Sequence, residues 1–524
     1  MSEPNSRLYG SRFDCFVQAN NRDNKGASMS SKLLLILGGC ATLAGSAFAY
    51  EAFHGPTELI YSDPDKVAPG YLLFAAWAQN EAHETVYLID IEGDVVHQWY
   101  GIPPAYRGKG YSIEKTARLT EKGSIVMGLS TDQHQPQGER ALLELDWDGS
   151  VTWEFSDPRE GYRYHHNFKR IWNNHLNDWT VIFTSHFPMT QEQAVAAGAD
   201  PSVQWEAFPD GVVEVDMNGN VVWEWWSLDH VIQDQNPDWP NYGVLSDHPE
   251  RFDLNWGPGL RGDFIHQNAL DYNRELDQII VNNDRMGEFY VIDHGGTFVT
   301  GDFDASKALA AGPKGDILFR WGNPAVYDSG APASYDSDRD VTSEGDRMLF
   351  HHHDTQWIKD GLPGAGNILI FENGSRRAGS HRSELIEVNP YGGVYPDAGY
   401  LAEIEAGGPA EQVVWNFTSV QSNSFLSQNI SGVQRLANGN TLGFAGRHGH
   451  AFQVTPDGEV VWEYIVPIVR GTSEDAPLED VYKTVMSDAD DNRIFTATWV
   501  APDHPGLAGR DLTPQGKITE LMLE

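Results

Sequence analysis

The chain has 524 residues, of which 40% are hydrophobic, and this allows either two or three average domains or one large β architecture. Its formal net charge of −39 argues against nucleic acid and anionic membranes as partners, because an acidic surface repels both. The only two cysteines, Cys15 and Cys40, precede the folded body, so that body has no disulfide framework and no thiolate metal site.

Residues 1–49 are predicted to be a leader and a secretory signal peptide. Lys32 precedes an apolar run at residues 33–37, and the small residues that follow end in an A-x-A cleavage pattern at residues 47–49. Met29 is the favoured initiator, because the residues before it are polar and featureless. We therefore expect a periplasmic or secreted protein with no stable membrane span after cleavage. Anchoring through an uncleaved N-terminal segment is the alternative.

The rest of the chain repeats one pattern: a strand, a turn that contains glycine in most copies, and a second strand that carries tryptophan. Copies start near residues 87, 143, 213, 289, 384 and 452. Apolar residues alternate around the turn, so each copy is predicted to be a β-hairpin, and two further strands precede most copies. Four antiparallel strands repeated about six times predict an all-β fold, with residues 50–524 forming a single six-bladed β-propeller domain. A β-sandwich is the competing architecture, but the single repeated pattern argues against it.

The first copy has only three strands near the N-terminus, so we expect a C-terminal strand, within residues 481–486, to complete that blade and close the ring. Four inserts are too long for plain turns and are predicted to be loops; they cover residues 188–210, 228–262, 297–315 and 325–349. The first insert includes a predicted short helix at residues 191–197, which Gly198 ends.

Histidines recur where the predicted channel-lining strands start. In a propeller the first strand of each blade lines the channel, and its start lies on the same face as the end of the second strand. Polar residues at these two positions, blade by blade, are Asp132, His134, His165, His166, His186, His266, Asp284, Arg285, His352, His353, Asn373, Arg376, Arg377, Gln428, Asn429, Arg447, His448 and His450. Most histidines of an otherwise acidic chain are therefore predicted to converge on one mouth of the channel.

A single histidine at a strand start is usually a hydrogen-bonding residue, but a series at equivalent positions is hard to explain by packing alone. His353 is a stronger candidate than His352, because strand side chains alternate and His352 is expected to point away. The histidines outside these positions are interpreted as bystanders in turns or outer strands: His83, His97, His230, His248, His294 and His504.

Imidazole and guanidinium groups together suit the transfer of a small anionic group. Arginine binds oxyanions such as sulfate and phosphate esters. Neutral imidazole serves as nucleophile, general base or general acid near neutral pH. One histidine would attack and become modified while another protonates the departing oxygen, and this chemistry requires no metal or other cofactor.

The motifs resemble those of the bacterial PAPS-independent aryl-sulfate sulfotransferases. The resemblance covers most of residues 55–500 and rests on four segments: residues 263–268, residues 352–354, residues 371–374 with Arg376, and residues 432–442. It implies a periplasmic six-bladed propeller that moves a sulfuryl group from an aryl sulfate ester to a phenol, by a ping-pong mechanism through a sulfohistidine. His266 and His353 would then be active-site histidines, and Arg376 would hold the sulfuryl oxygens.

The chain departs from the family pattern at the nucleophile, which has no clean counterpart. Gln428 occupies one plausible position and cannot be sulfurylated, so the role is assigned to His448, with His450 in reserve. Binding roles are predicted for His134, His166, His186, Arg285, Asn373 and His450. The cysteines that pair in relatives are missing and Glu372 stands where Asp is more usual, which together predict a divergent branch.

Two other readings stay open. A histidine-rich centre for copper, manganese or zinc would make the protein an exported oxidoreductase, hydrolase or lyase. Its ligands would come from His134, His166, His186, His266, His353 and His448. A non-catalytic binding propeller is the third reading, since a fold alone says nothing about chemistry. For the favoured enzyme the expected partners are a small-molecule aryl sulfate and a phenol, with a homodimer as an option.

Overall fold

A computed structural model describes the chain in segments that together contain all six repeats. The chain divides into two units, Met1–Ser46 and Ala47–Glu524. The first unit, with most of the predicted leader and signal peptide, lies outside the described residues. The described residues are 55–76, 83–131, 140–203, 207–256, 262–263, 265–335, 341–375, 377–378, 382–390, 412–418, 425–473, 475–487 and 489–523.

Six antiparallel sheets in these segments form a six-bladed β-propeller, which confirms the predicted fold. From the innermost strand outwards, blade 1 comprises Ala497–Val500, Tyr71–Ala76, Thr85–Asp90 and Val95–Tyr100. Blade 2 comprises Ser112–Leu119, Ile125–Ser130, Arg140–Leu145 and Val151–Phe155. Blade 3 comprises Arg163–Asn173, Asp178–His186, Asp210–Asp216 and Val221–Trp226.

The other three blades follow the same order. Blade 4 comprises Leu270–Asn273, Gln278–Asn283, Glu288–Asp293 and Phe319–Trp321. Blade 5 comprises His352–Trp357, Ile368–Glu372, Glu384–Val388 and Val413–Phe417. Blade 6 comprises Gly432–Arg435, Thr441–Ala445, His450–Val454, Val460–Ile465 and, as a fifth strand, Glu58–Ser62.

The position of a strand within its blade explains its sequence. The second strands Ile368–Glu372 and Thr441–Ala445 are buried at every residue, because neighbouring blades cover both faces. The outermost strands Val151–Phe155 and Val413–Phe417 instead expose one face and bury the other. Continuous apolar runs are therefore found inside a blade, and alternating patterns are found at its rim.

The repeated tryptophan links each blade to the next. In four blades the indole N–H of a tryptophan in the fourth strand donates to the next blade just after the end of its third strand. These bonds are Trp99 to Asp146 O at 3.0 Å, Trp223 to Thr297 Oγ1 at 3.0 Å, Trp415 to Pro456 O at 2.9 Å and Trp462 to Ile91 O at 2.8 Å. The last bond joins blade 6 to blade 1, so the repeat includes the contact that closes the ring.

Closure by a C-terminal strand is confirmed, but the segment differs from the one predicted. Ala497–Val500 pairs with Tyr71–Ala76 and forms the innermost strand of blade 1. Val485–Met486, within the predicted segment, pairs instead with Gly55–Pro56 outside the blades. Glu58–Ser62 meanwhile pairs with Val460–Ile465, the fourth strand of blade 6. Both segments are short, and the tertiary pairing distinguishes them.

Buried polar contacts join the innermost strands around the channel. Lys169 of blade 3 lies 2.6 Å from Asp271 of blade 4, whose Oδ2 accepts a hydrogen bond from the backbone N–H of Trp357 in blade 5 at 3.0 Å. Asp354 of blade 5 accepts from the backbone N–H of Val433 in blade 6, also at 3.0 Å. These bonds fix the innermost strands of successive blades relative to one another.

Two of the long inserts lead into the channel mouth. The first contains the helix Gln191–Ala196, which confirms the predicted helix; it begins after the capping residue Thr190 and is followed by Gly198 at φ +99°. Ala207–Phe208, near the end of this insert, pairs in parallel with Gly262–Asp263, near the end of the next. The pairing brings together the two chain segments from which the site described below is built.

The remaining elements are short. The other α-helices in the described segments are Phe303–Ala310, Leu478–Val481 and Ile518–Leu523. The other small strand pairs are Val231–Ile232 with Phe252–Asp253, and Ser334–Tyr335 with Val341–Ser343. None of the helices in the described part of the chain has the length and apolar character that crossing a bilayer takes.

Candidate active site at the channel mouth

Blades 3, 4 and 5 carry histidines in an unusual backbone conformation at or just before their first strands. His166, His266 and His351 have φ values of +52°, +54° and +69°. Few residues other than glycine enter this left-handed region, and those that do are often found at functional sites. The strand pairing of blades 3 and 5 is also irregular at this level. Because the backbone is irregular here, the side chains of neighbouring histidines do not follow the strict alternation of a regular strand.

Asp210 holds several groups of the mouth in place. It begins the third strand of blade 3 and its side chain is fully buried. Its Oδ1 lies 3.1 Å from Nε2 of His165 and 3.2 Å from Nε2 of His186. The two imidazole rings stack with their centroids 3.7 Å apart. One carboxylate therefore orients two histidines from different strands of the same blade.

The same carboxylate also holds the start of blade 4. Its Oδ2 accepts hydrogen bonds from the backbone N–H groups of Ile265 at 3.3 Å and His266 at 3.1 Å. Its Oδ1 accepts from the N–H of Gln267 at 3.1 Å. Charge-assisted bonds to three successive amides fix this segment, so Asp210 sets the position of His266 relative to the histidines of blade 3.

Rings from three blades then approach one another. His166 meets His266 edge to face with centroids 4.6 Å apart, and its Nδ1 lies 2.8 Å from Nδ1 of His165. Phe495, which precedes the innermost strand of blade 1, lies 6.0 Å from the ring of His166 and 5.9 Å from that of His353. We call the following set the mouth cluster: His165, His166, His186, Asp210, His266, His351 and His353.

A second carboxylate, that of Asp284, lies on the side of the mouth formed by blades 4 and 5. Nδ1 of His351 lies 2.8 Å from Oδ1 of Asp284, and the ring of His351 meets that of His353 at 5.1 Å. Burial opposes ionisation of Asp284, but the imidazoles of His351, His266 and His352 hold the pKa of its carboxyl well below the usual range. Asp284 is therefore a permanent negative charge beside the cluster.

His353 is held by Asn373 at the end of the second strand of blade 5. Asn373 Nδ2 donates to the carbonyl oxygens of Ser427 at 2.6 Å and Ile430 at 2.9 Å, which fixes the orientation of the amide. Its Oδ1 therefore faces Nδ1 of His353, at 2.7 Å. Because an amide oxygen only accepts, the proton of the neutral imidazole lies on Nδ1, and Nε2 carries the lone pair. Burial lowers the pKa of His353 well below its usual range, so this neutral form prevails.

The structure brings five of the predicted site residues to this mouth: His166, His186, His266, His353 and Asn373. Arg285 follows Asp284 directly and is exposed, with its backbone N–H donating to Ile265 O at 3.3 Å. His352 is fully buried, and burial lowers its pKa to about 4.

His448 and His450 lie in blade 6. His448 ends the 3-10 turn Gly446–His448; burial lowers its pKa to about 4, and Arg447 and His450 add to the effect. His450 begins the third strand, with its Nε2 at 3.2 Å from Glu463 Oε1. His134 and Arg376 lie outside the described residues, so the roles assigned to them stay predictions.

Arg377, the neighbour of Arg376, makes contacts of a structural kind. Its guanidinium lies 3.1 Å from Glu384 Oε1, donates to Met348 O at 3.1 Å, and lies over the ring of Phe350. Arg377 thus ties the end of the second strand of blade 5 to its third strand and to the preceding insert.

Asp210 and the pairing of His351 with Asp284 were not predicted as part of the site. For His351 a signal was present, since it directly precedes the strand His352–Trp357 and lies two residues from His353, which was already chosen. For Asp210 no sequence signal exists, because it acts on an amide 56 residues further along the chain.

The mouth cluster could also hold a metal ion. His165, His186 and Asp210 each offer a ligand atom, and these atoms lie within 4.8 Å of one another. Two imidazoles and a carboxylate suit zinc and other divalent transition-metal ions. This set shares only His186 with the metal ligands predicted from the sequence.

Comparisons with known proteins point to one family. The model of the family Arylsulfotransferase (ASST) matches residues 57–287, which include His166, His186, Asp210 and His266. No curated protein matches the chain.

Several solved structures are similar at low identity. A protein of unknown function from Bacteroides caccae is 11% identical with a TM-score of 0.39, over 83% of this chain and 99% of that one. The periplasmic gluconolactonase PpgL of Pseudomonas aeruginosa is 10% identical with a TM-score of 0.36, over 76% and 96%. A putative 6-phosphogluconolactonase from Bacteroides fragilis is 10% identical with a TM-score of 0.32, over 84% and 100%. Similarity at this level does not bear on the activity of the chain.

Proposed function

Because this chain belongs to the arylsulfotransferase family, which its residues 57–287 match, we propose that it moves a sulfuryl group from an aryl sulfate ester to a phenol by a ping-pong route through a sulfohistidine. The proposed site is the mouth cluster. The observation that carries the proposal is the contact of His166 with His266, together with the approach of His166 and the buried, neutral His353 to the same ring, that of Phe495.

His353 is the nucleophile that the geometry supports best. Its Nδ1–H donates to Asn373 Oδ1, which leaves the lone pair of Nε2 for attack. Sulfurylation of Nε2 would put positive charge on the ring, and the bond from Nδ1–H to the amide oxygen would strengthen as that charge develops. The sequence favours His448 for this role, and it remains the rival candidate.

The proposed reaction has two balanced halves. In the first, Nε2 attacks sulfur, the N–S bond forms as the bond from sulfur to the aryl oxygen breaks, and the imidazolium of His266 gives its proton to the departing phenolate. In the second, neutral His266 takes the proton of the acceptor phenol, the phenol oxygen attacks sulfur, and His353 is released unmodified. No other reactant is consumed.

The proposal also requires a positive charge at the site. The sulfuryl oxygens need a cationic partner, and Arg376 is proposed for this role on the basis of the family resemblance.

We further propose that the chain is exported to the periplasm or secreted, through the segment at residues 1–49. Cell fractionation and N-terminal sequencing test export; recovery of the protein only in the cytoplasm would contradict it.

The decisive experiment separates the two half-reactions. The full chain is mixed with 4-nitrophenyl sulfate alone, digested at neutral to alkaline pH and analysed by mass spectrometry. We expect one added sulfuryl mass on the peptide that contains His353, and its loss as phenol is added. The mass on a peptide with His448 or His450 would overturn the nucleophile assignment, and the absence of both adduct and turnover would overturn the proposed function.

A metal-dependent reaction at the mouth is the second candidate. The juxtaposition of His165, His186 and Asp210 favours it, since their ligand atoms lie within 4.8 Å of one another. In this case the chain would be a hydrolase, lyase or oxidoreductase that uses zinc, copper or manganese. Metal analysis of the purified chain and of His186→Asn tests it: no difference in bound metal between the two would exclude this candidate.

A further inference from the structure

A second group of histidines and carboxylates lies at the other end of blade 3. His165 and His166 stand near the start of the innermost strand Arg163–Asn173, whereas His175 stands in the turn that follows it. At about 3.3 Å per residue the two ends are roughly 30 Å apart. We call the following set the turn cluster: His175, Glu214, Asp277 and His294. It was not predicted, and His294 was interpreted as a bystander.

The turn cluster is held together by short contacts between two blades. Nε2 of His175, in blade 3, lies 2.8 Å from Asp277 Oδ2, in blade 4. Nδ1 of His294, which follows the third strand of blade 4, lies 2.6 Å from Asp277 Oδ1. Nε2 of His294 lies 2.9 Å from Glu214 Oε2, in the third strand of blade 3. His294 and Glu214 are fully buried, while His175 and Asp277 keep 27% and 18% of their side chains exposed.

The backbone around the cluster is shaped to keep these groups in place. Asp277 has a φ of +53°, in the left-handed region. A Cβ atom on Gly295 would lie 2.7 Å from Asp277 Oδ2, so only glycine leaves room for the carboxylate there. The backbone N–H of His175 donates to Asn173 Oδ1 at 2.8 Å, and the hydroxyl of Tyr272 donates to Asp277 Oδ1 at 2.7 Å.

From this geometry we propose that the turn cluster is a binding site for a divalent transition-metal ion such as Zn²⁺, with His175, Asp277 and His294 as ligands. Their ligand atoms lie within 4.8 Å of one another and come from separate turns. Imidazole nitrogen and carboxylate oxygen are the ligands that this class of ion takes. The ion would bridge blade 3 and blade 4.

The surrounding groups fit the role of an outer shell. A histidine that ligates a metal through one nitrogen commonly donates its other N–H to a carboxylate, and His294 meets Glu214 in this way. The Tyr272 hydroxyl orients the ligating carboxylate. The partial exposure of His175 and Asp277 provides a path for the ion and room for water as a fourth ligand.

Only small movements separate the present geometry from that of a bound ion. Tetrahedral ligand atoms about 2.0–2.1 Å from zinc lie about 3.3 Å from one another. The contacts of Asp277 with His175 and with His294, at 2.8 and 2.6 Å, would therefore open by about 0.5–0.7 Å. Rotation of the part-exposed His175 and Asp277 side chains would supply this change, and it would bring the His175 nitrogen, which lies within 4.8 Å of that of His294, closer to it.

The test measures metal binding rather than activity. The full chain is stripped with a chelator, titrated with ZnCl₂ by calorimetry, and loaded separately with Co²⁺ for visible absorption. Wild type is compared with His175→Asn, and with Asp277→Asn as a second variant, because asparagine tolerates the left-handed backbone at that position. His186→Asn is the matched control, since it removes a histidine only from the mouth.

We expect His175→Asn and Asp277→Asn each to bind one equivalent less than wild type, whatever the mouth binds. The Co²⁺ absorption typical of tetrahedral coordination should fall in the same two variants and persist in His186→Asn. The proposal would be overturned if wild type and a folded turn-cluster variant bound the same number of equivalents, including none. The turn cluster would then be a network of ion pairs. Circular dichroism establishes that each variant is folded.

Discussion

The mouth cluster and the turn cluster use the same side chain in opposite states, although His353 and His294 are both deeply buried. At the mouth, burial lowers the pKa of His353 well below its usual range, and its direct partner is a neutral amide. At the turns, burial also opposes the charge of His294, but Glu214 and Asp277 outweigh it and raise the pKa of that imidazole to about 9. The number of carboxylates around an imidazole, and not its burial, decides whether the ring stays neutral and can act as a nucleophile or, while no metal is bound, carries a positive charge.

This comparison predicts different consequences when each histidine is removed. Loss of His353 should remove chemistry and leave the fold, whereas loss of His294 should weaken the fold and leave the chemistry. The predictions below run from the largest expected effect to the smallest.

His353→Asn should reduce the rate of sulfuryl transfer by roughly 10³-fold or more, because it removes the proposed nucleophile. The measurement is the release of 4-nitrophenol from 4-nitrophenyl sulfate in the presence of phenol. His352→Asn is the matched control, since His352 is the adjacent buried histidine. If both variants lose activity equally, the assignment to His353 is wrong.

His294→Leu should lower the free energy of unfolding by about 3 kcal/mol, because it leaves Glu214 and Asp277 without their buried partner. The measurement is denaturant unfolding in the presence of a chelator. His248→Leu is the control, because His248 pairs with Glu250 at 2.9 Å on the surface, and its loss should cost less than about 1 kcal/mol. Equal losses in the two variants would show that His294 is not held as a buried cation.

Glu372 extends the comparison to carboxyl groups. It is fully buried at the end of the second strand of blade 5, and burial raises its pKa from 4.5 to about 7, while Arg377 opposes and Glu384 adds to the shift. A carboxyl with a raised folded-state pKa stabilises the fold below the unfolded value and loses that contribution as pH rises through the folded value. The free energy of unfolding should therefore fall by up to about 3 kcal/mol between pH 4.5 and pH 7.5 from this group alone.

The variant Glu372→Gln isolates this effect. Its amide oxygen can still accept the bonds that Glu372 Oε1 receives from the N–H groups of Phe350 and Gly374, but it does not titrate. Unfolding curves of wild type and variant at pH 5 and pH 7.5 should differ most at the higher pH, with the variant the more stable. A difference that does not change with pH would mean that the carboxyl is ionised throughout.

Asn373→Ala should lower kcat by roughly 10- to 30-fold with a smaller change in KM, because it removes the group that fixes the proton on Nδ1 of His353. Steady-state kinetics with 4-nitrophenyl sulfate give the two constants separately. Asn373→Asp is the companion variant, since it keeps an acceptor for Nδ1–H and should recover part of kcat. A change confined to KM would indicate that Asn373 acts on substrate binding instead.

The sequence by itself determined the repeat and therefore the propeller. The glycine turn, the apolar second strand and the outer tryptophan occur in most copies, and each is required locally: the turn by hairpin geometry, the apolar run by burial on both faces, and the indole by its bond to the next blade. It also placed His166, His266 and His353 at one mouth, because the start of an inner strand is a position that can be counted along the chain.

The tertiary structure alone decided how these residues are used. Ala497–Val500 closes the ring, because strand pairing depends on which segment reaches Tyr71–Ala76 and not on the hydrophobicity of that segment. Asp210 orients histidines of two blades, and Glu214 with Asp277 makes a cation of His294, through contacts between residues tens of positions apart. Such partners come together because the blades approach one another in space, and no periodicity in the sequence encodes that approach.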